Sequence, residues 1–167
     1  KTSLFKAIMH LMPYSGSIEL KGKSIHPQSD LSFIRSHVQL MFQNPKIFNP
    51  KYRLTEMLND PSINKSLFIE ILTAYHLELP NDYPHALPHS VAQVISFART
   101  VSRNRSLYLL DEPTSTMPKK WIKTTIDIIQ QLQQDGKTFF IASHDQHFIK
   151  QTCHSIWTIS QQCLIER

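Results

Sequence analysis

Asp111 and Glu112 are the residues of this chain best placed to do chemistry. They close the apolar run in residues 106–115, SLYLLDEPTS, where Leu107, Tyr108, Leu109 and Leu110 have the pattern of a strand buried on both faces of a parallel sheet. Open α/β sheets take their ligands at the carboxyl ends of such strands. Two adjacent acids there need an external reason, because burying charge without a cation or hydrogen bonds is costly. A magnesium ion with a bound phosphate supplies one; a strand-end turn with two solvated acids is the plainer alternative. His144 ends a second apolar run, TFFIAS in residues 138–143, at the same expected sheet edge. A strand-end His is otherwise a packing or capping residue.

Two further signals come earlier in the chain. Residues 36–43 read as a strand with Val38, Leu40 and Phe42 on one face and Gln43 at its tip. Such a Gln either opens the next loop or senses an ion in the site. At the start, Leu4, Ile8 and Leu11 repeat at helical spacing before Pro13, so Lys1-Thr2-Ser3 opens an amphipathic helix. A Lys followed by a hydroxyl residue at a helix start is how a phosphate-binding loop ends, the Lys reaching the β- and γ-phosphates and the hydroxyl Mg²⁺. The glycines that cradle phosphates would precede Lys1. The chain is therefore expected to be an incomplete piece of a longer protein, poor at binding ATP and inactive alone.

The remaining elements must position these residues. YSGSIELKGK, residues 14–23, reads as a strand with its turn. Residues 54–101 are helical in pattern, with Leu67, Ile71 and Leu72 on one face and a helix over residues 92–101 after Pro88. The breaker-rich LELPNDYPHALP between them is a loop. A helix over residues 119–134 carries Ile122, Ile126, Ile129 and Leu132 on one face and is closed by Gly136. The tail alternates a short helix, residues 146–152, with strands at 155–160 and 163–166. The best architecture is α/β: a parallel sheet whose two halves are separated by a helical insertion.

Composition narrows the function classes. The 167 residues suit one domain with a small subdomain. No apolar segment approaches the roughly 20 residues of a membrane span and the first residues show no signal-peptide pattern, so any membrane role is expected to be peripheral. The net charge is +5, but Lys and Arg are scattered without a basic run and interleaved aromatics, so no nucleic acid partner is expected. Cys153 and Cys163 lack CxxC spacing and read as reduced thiols, and the nine His lack a metal-ligand pattern. Only 3 Gly against 10 Pro is unusual for a nucleotide-binding domain.

In this order the signals resemble the nucleotide-binding subunit of an ATP-binding cassette (ABC) transporter. Lys1-Thr2 matches the end of the Walker A motif, Gln43 the Q-loop, LLDEP the Walker B motif with its following Glu, and Ser143-His144-Asp145 the H-loop. FQNPKIFNPKYRLTEML and YPHAL further resemble the peptide and nickel importer branch. The resemblance implies a RecA-like P-loop NTPase core, with residues 1–50 and 106–167 as its two parts and 51–105 as the helical signature subdomain. It implies ATP and Mg²⁺ as cofactors. Lys1 would hold the β- and γ-phosphates, with Ser3 in the nucleotide-binding set. Thr2 and Gln43 would contact Mg²⁺, and Asp111 would hold it through water. Glu112 would be the general base and His144 would contact the γ-phosphate. It also implies a second ATPase subunit and transmembrane permease partners at the cytoplasmic face of the cell membrane. Docking would fall on residues 43–53, which open on Gln43 and close on Arg53.

Two departures from the family pattern matter. The signature LSGGQ falls on Leu87-Pro88-His89-Ser90-Val91, so its serine and both glycines are lost. Pro118 stands where the D-loop usually has Asp. The site that uses this signature is expected to be weak, while the site built on Lys1, Asp111, Glu112 and His144 can work against a partner's intact signature. That predicts an asymmetric heterodimer. A non-hydrolytic regulatory subunit is the competing reading, and a soluble cassette ATPase acting on DNA or ribosomes is disfavoured by the FQNP segment.

Overall fold

The apolar runs pair as three parallel strands in the order β3-β4-β5: Val38–Met41, Leu107–Asp111 and Thr138–Ala142. The computed structural model describes residues 1–26, 30–44, 51, 53–160 and 163–166. Before the sheet come helix α1 (Thr2–Ile8), the hairpin β1–β2 (Glu19–Leu20 and Lys23–Ser24) and helix α2 (Leu31–His37). Between β3 and β4 lie α3 (Lys65–Ala74) and α4 (His89–Val101), with no named strand among the described residues there. Helix α5 (Lys119–Gln134) links β4 to β5. Then come α6 (Gln146–Thr152) and an antiparallel pair, β6 (Trp157–Ser160) and β7 (Cys163–Glu166).

Strands β3 and β4 are largely buried on both faces and β5 is half-buried, which is why the strands show little polar alternation. Tyr108 and Leu110 point into a core built with Phe68, Ile71, Leu72, Val94, Phe97, Ile126, Ile129 and Phe148. Leu109 between them faces the other way, with Val38, Leu40, Phe5, Ile25 and Ile34. Helices α3 to α6 thus contribute to one layer and α1, α2 and the hairpin to the other. The helical segment is also tied to the sheet by polar contacts, since Arg103 pairs with Asp60 and donates to Gln39 Oε1 of β3 at 3.3 Å.

Local chemistry sets the helix ends. Gly136 at φ +78 closes α5 in a Schellman motif, with Gly136 N–H donating to Gln133 O and Lys137 N–H to Leu132 O, both at 3.0 Å. The same pair of bonds closes α1 and α3, but His10 (φ +52) and His76 (φ +57) occupy the left-handed position there. Histidine is among the non-glycine residues enriched in that region.

Three sequence expectations need correction. Helix α1 ends at Ile8, its buried residue is Phe5, and Leu11 is 55% exposed, because His10 turns the chain before Leu11 can join the apolar face. The run 14–23 is not one strand: only Glu19–Leu20 pairs, folding back on Lys23–Ser24 through Lys21 (φ +53) and Gly22 (φ +74). Two successive positive φ values make the type I′ turn that suits a two-residue hairpin. The expected strand 36–43 begins only at Val38, since Ser36 and His37 complete α2, and it ends at Met41, before Phe42 and Gln43. Among the described residues β5 pairs with β4 alone, and its other edge faces β6 across a cleft, bridged by an edge-on contact between Phe140 and Trp157.

Candidate functional site

Register brings the chemistry to one edge of the sheet. Met41 lies opposite Leu110, and Asp111 opposite Ala142, so Gln43, Glu112 and His144 all come within two residues of the carboxyl ends of paired strands. Helix α1 lies against this edge because Phe5 is buried and meets Phe140 edge-on at 5.2 Å. Its start therefore delivers Lys1 and Thr2 to the strand ends.

Thr2 Oγ1 donates to Asp111 Oδ2 at 2.6 Å. Asp111 is only 2% exposed, so this bond answers the desolvation of its carboxylate. Lys1 Nζ donates to Ser143 O at 3.0 Å and lies 3.6 Å from Glu112 Oε1. His144 brings two groups to the same carboxylate: its backbone N–H donates to Glu112 Oε2 at 3.3 Å, and its Nε2 is 3.4 Å from Oε1. The turn that carries His144 is fixed by Asp145, whose Oδ1 accepts the His147 and Phe148 N–H bonds at the start of α6. The imidazole itself remains open to solvent.

Glu112 is the strained member of the group. Its φ is +48, although it is not glycine and precedes Pro113. Left-handed backbone costs an L-residue roughly 1–2 kcal/mol, and such strain collects at functional sites. Glu112 N–H donates to Ala142 O at 2.8 Å, anchoring the residue to the next strand. Gln93 of α4, which sequence reasoning passed over, donates to Glu112 O and Pro113 O. The signal available for it was one amide in the otherwise apolar stretch Ala92, Val94, Ile95, Phe97.

Lys1, Thr2, Gln43, Asp111, Glu112 and His144 line one continuous cleft of about 1150 Å³. Gln43 is exposed there and makes no hydrogen bond to Thr2 or Asp111. Ser3 is exposed one residue further along α1. No cluster of three or more His, Cys, Asp or Glu able to hold a metal occurs among the described residues. The oxygen donors Thr2 and Asp111 nonetheless suit Mg²⁺, which is bound through one or two carboxylates plus substrate phosphates rather than by a closed protein cage. Glu112 Oε1, buried and without a hydrogen-bond donor, is a further acceptor aimed into the site. A carboxylate beside an ammonium and an imidazole can orient a water at a bound phosphate while the cations offset its charge.

Departures in sequence have visible counterparts. Pro88 caps α4 without a side-chain hydrogen bond, and His89 and Ser90 begin the helix. Pro118 caps α5 in an extended conformation.

Residues 1–115 match the family profile described as ABC transporter, and the chain belongs to that family of ATP-binding, ATP-hydrolysing domains. Its relatives include the arginine transport ATP-binding protein ArtM of Bacillus subtilis, 26% identical over 98% of this chain and 73% of the relative. The lipoprotein-releasing system ATP-binding protein LolD of Buchnera aphidicola is 33% identical over 86% of this chain and 70% of its own. The L-cystine transport system ATP-binding protein TcyN of Escherichia coli is 27% identical, covering all of this chain and 74% of the relative. Among solved structures, the ATP-binding subunit of an ABC transporter superposes with a TM-score of 0.79 at 17% identity, over 93% of this chain and 68% of the other. The ATP-binding cassette MJ0796, described as a dimer in a post-hydrolysis state with ADP and Pi, gives 0.75 at 20% identity, over 90% and 72%. These structures establish the fold as the α/β P-loop architecture. The relatives do not support the expected peptide and nickel branch. Residues 45–50 and 52, part of the segment that suggested it, lie outside the described residues.

Proposed function

We propose that this chain is the ATP-hydrolysing subunit of a transport complex, working through Lys1, Thr2, Asp111, Glu112 and His144. The observation that carries the reading is the convergence on Glu112: Lys1 Nζ, His144 N–H and His144 Nε2 all lie within 3.6 Å of its carboxylate oxygens. In this reading Glu112 orients and deprotonates the attacking water, His144 contacts the γ-phosphate, and Lys1 shifts from Glu112 to the β- and γ-phosphates. Thr2 and Asp111, with Gln43 from the adjoining loop, hold Mg²⁺, and Ser3 completes the nucleotide contacts. When bound, the ion neutralises phosphate charge; the residues contribute position and a proton acceptor.

The names of the relatives favour an amino-acid-sized cargo over peptides or nickel complexes. In this reading the chain lies at the cytoplasmic face of the membrane, beneath permease subunits, on the strength of its family membership; no helix among the described residues is long and apolar enough to cross a membrane. The docking segment begins at Gln43; residues 45–50 and 52 within it lie outside the described residues. Residues 51–105 act as the signature subdomain. Because Pro88 and His89 stand in the signature, the second subunit is assigned as a different chain that supplies an intact one. Pro88 and His89 also favour the competing reading, a subunit that binds its partner and hydrolyses nothing. ATP turnover by the assembled complex, beside a Glu112→Gln control, separates the two. Turnover that falls at least 100-fold in the control supports the proposal; equal rates sink it.

A further inference from the structure

We infer that Gln93 is a positioning residue for Glu112, a clamp by which α4 sets the carboxylate in place. The inference rests on the reading of Glu112 as the general base. Gln93 is fully buried in α4, a helix in which Ala92, Val94, Ile95 and Phe97 are buried too and packing alone favours an apolar side chain. Its Nε2 donates to two successive carbonyls, Glu112 O at 3.1 Å and Pro113 O at 3.0 Å. Both amide hydrogens are thereby used, and the amide has one possible orientation, since the flipped form would set Oε1 against two carbonyl oxygens. Oε1 is left buried without a hydrogen bond, a cost that methionine or leucine at this position would not carry.

What those bonds hold explains why the cost is tolerated. Glu112 has φ +48, and the residue before a proline is pushed sterically toward extended backbone. The conformation is opposed both by its own Cβ and by the ring of Pro113. It persists because it is over-determined. Glu112 N–H is bound to Ala142 O at 2.8 Å, while Glu112 O receives Ser115 N–H at 3.3 Å as well as Gln93. The Ala142 bond fixes the residue to β5 and the Gln93 bonds fix it to α4. With the second anchor gone, nothing from α4 resists relaxation toward extended φ, which swings the side chain away from Lys1 and His144. Gln93 lies on the fourth residue after His89 at the start of α4, so a displacement of that helix is passed to the base through two hydrogen bonds.

The test compares Gln93→Met, near in volume but without donors, with the parent in the assembled complex. The expected result is a kcat lowered tenfold or more, with KM for MgATP within twofold and the melting temperature unchanged or raised. On a Glu112→Gln background, Gln93→Met should produce no further loss. A Gln93→Met kcat within twofold of the parent overturns the inference, as does a parallel fall in kcat, affinity and melting temperature, which marks a structural residue only. If Glu112→Gln alone leaves turnover intact, the general-base reading fails independently of Gln93. Should the parent complex show no turnover, a crystal structure of the Gln93→Met variant decides: Glu112 displaced from Lys1 and His144 supports the clamp, and an unchanged φ and carboxylate position overturns it. Gln93→Leu serves in each measurement if the methionine variant does not fold.

Discussion

Thr2 Oγ1 and Asp111 Oδ2, 109 positions apart in sequence, are joined by a hydrogen bond of 2.6 Å that closes the first helix onto the central strand. The bond links one of the chain's first residues to the most buried acid among the described residues. Thr2→Val keeps the shape and deletes the donor, leaving the Asp111 carboxylate unsatisfied. Loss of such a partner costs about 1–3 kcal/mol. Urea unfolding should show that loss for Thr2→Val and little change for Thr2→Ser.

Glu112 is held in a conformation that glycine adopts without strain. Glu112→Gly and Glu112→Ala both delete the carboxylate, so comparing them isolates the backbone. Glu112→Gly should be the more stable by about 1–2 kcal/mol, with ATP turnover lost in both. Equal melting temperatures would show that the left-handed conformation is not maintained in solution.

Gly136 offers the same measurement without the chemistry. Its φ is +78, and a Cβ built there meets no atom within 4 Å. Gly136→Ala should therefore cost about 1 kcal/mol through backbone conformation alone, read as a lower urea midpoint with an unaltered m-value.

Acid stability should depend on Asp60. Burial pushes its carboxyl upward, but the Ser62 hydroxyl and amide, with Arg103 and Arg99 nearby, outweigh burial and hold it below the ordinary aspartate range. A depressed folded-state value gives stability that is present above the unfolded-state value, about 3.9 for aspartate, and is lost as pH falls through the folded one. The parent should lose stability more steeply than Asp60→Asn as pH drops below about 5. Parallel pH profiles would remove Asp60 from the acid-sensitive set.

Much of this was legible in the chain. The apolar repeat of α5 and the glycine after it mark that helix end to end, because both signals are local. The acids of LLDEP and the histidine after TFFIAS could be placed at one sheet edge because parallel strands aligned in register share a carboxyl end. The end of α1 was not legible, since His10 rather than a glycine takes the left-handed turn and the apolar spacing runs on to Leu11. Helix α2 was missed because seven residues, with Ile34 alone buried, give too short a period to detect. The role of Gln93 was not legible for another reason. Its partners are backbone carbonyls 19 and 20 positions away, and backbone acceptors leave no mark on residue type.

Among the described residues the outer edge of β5 is unpaired, which bears on how the chain behaves at high concentration. Thr138-Phe139-Phe140-Ile141-Ala142 carries no charge and no proline, and across the cleft the β6–β7 pair exposes Trp157, Ile159, Leu164 and Ile165. An unpaired, uncharged edge is a template for another strand, and the nearest supply of strands is a second copy of the same chain. Self-association through sheet extension is thus the expected fate of the chain when nothing else lies along that edge.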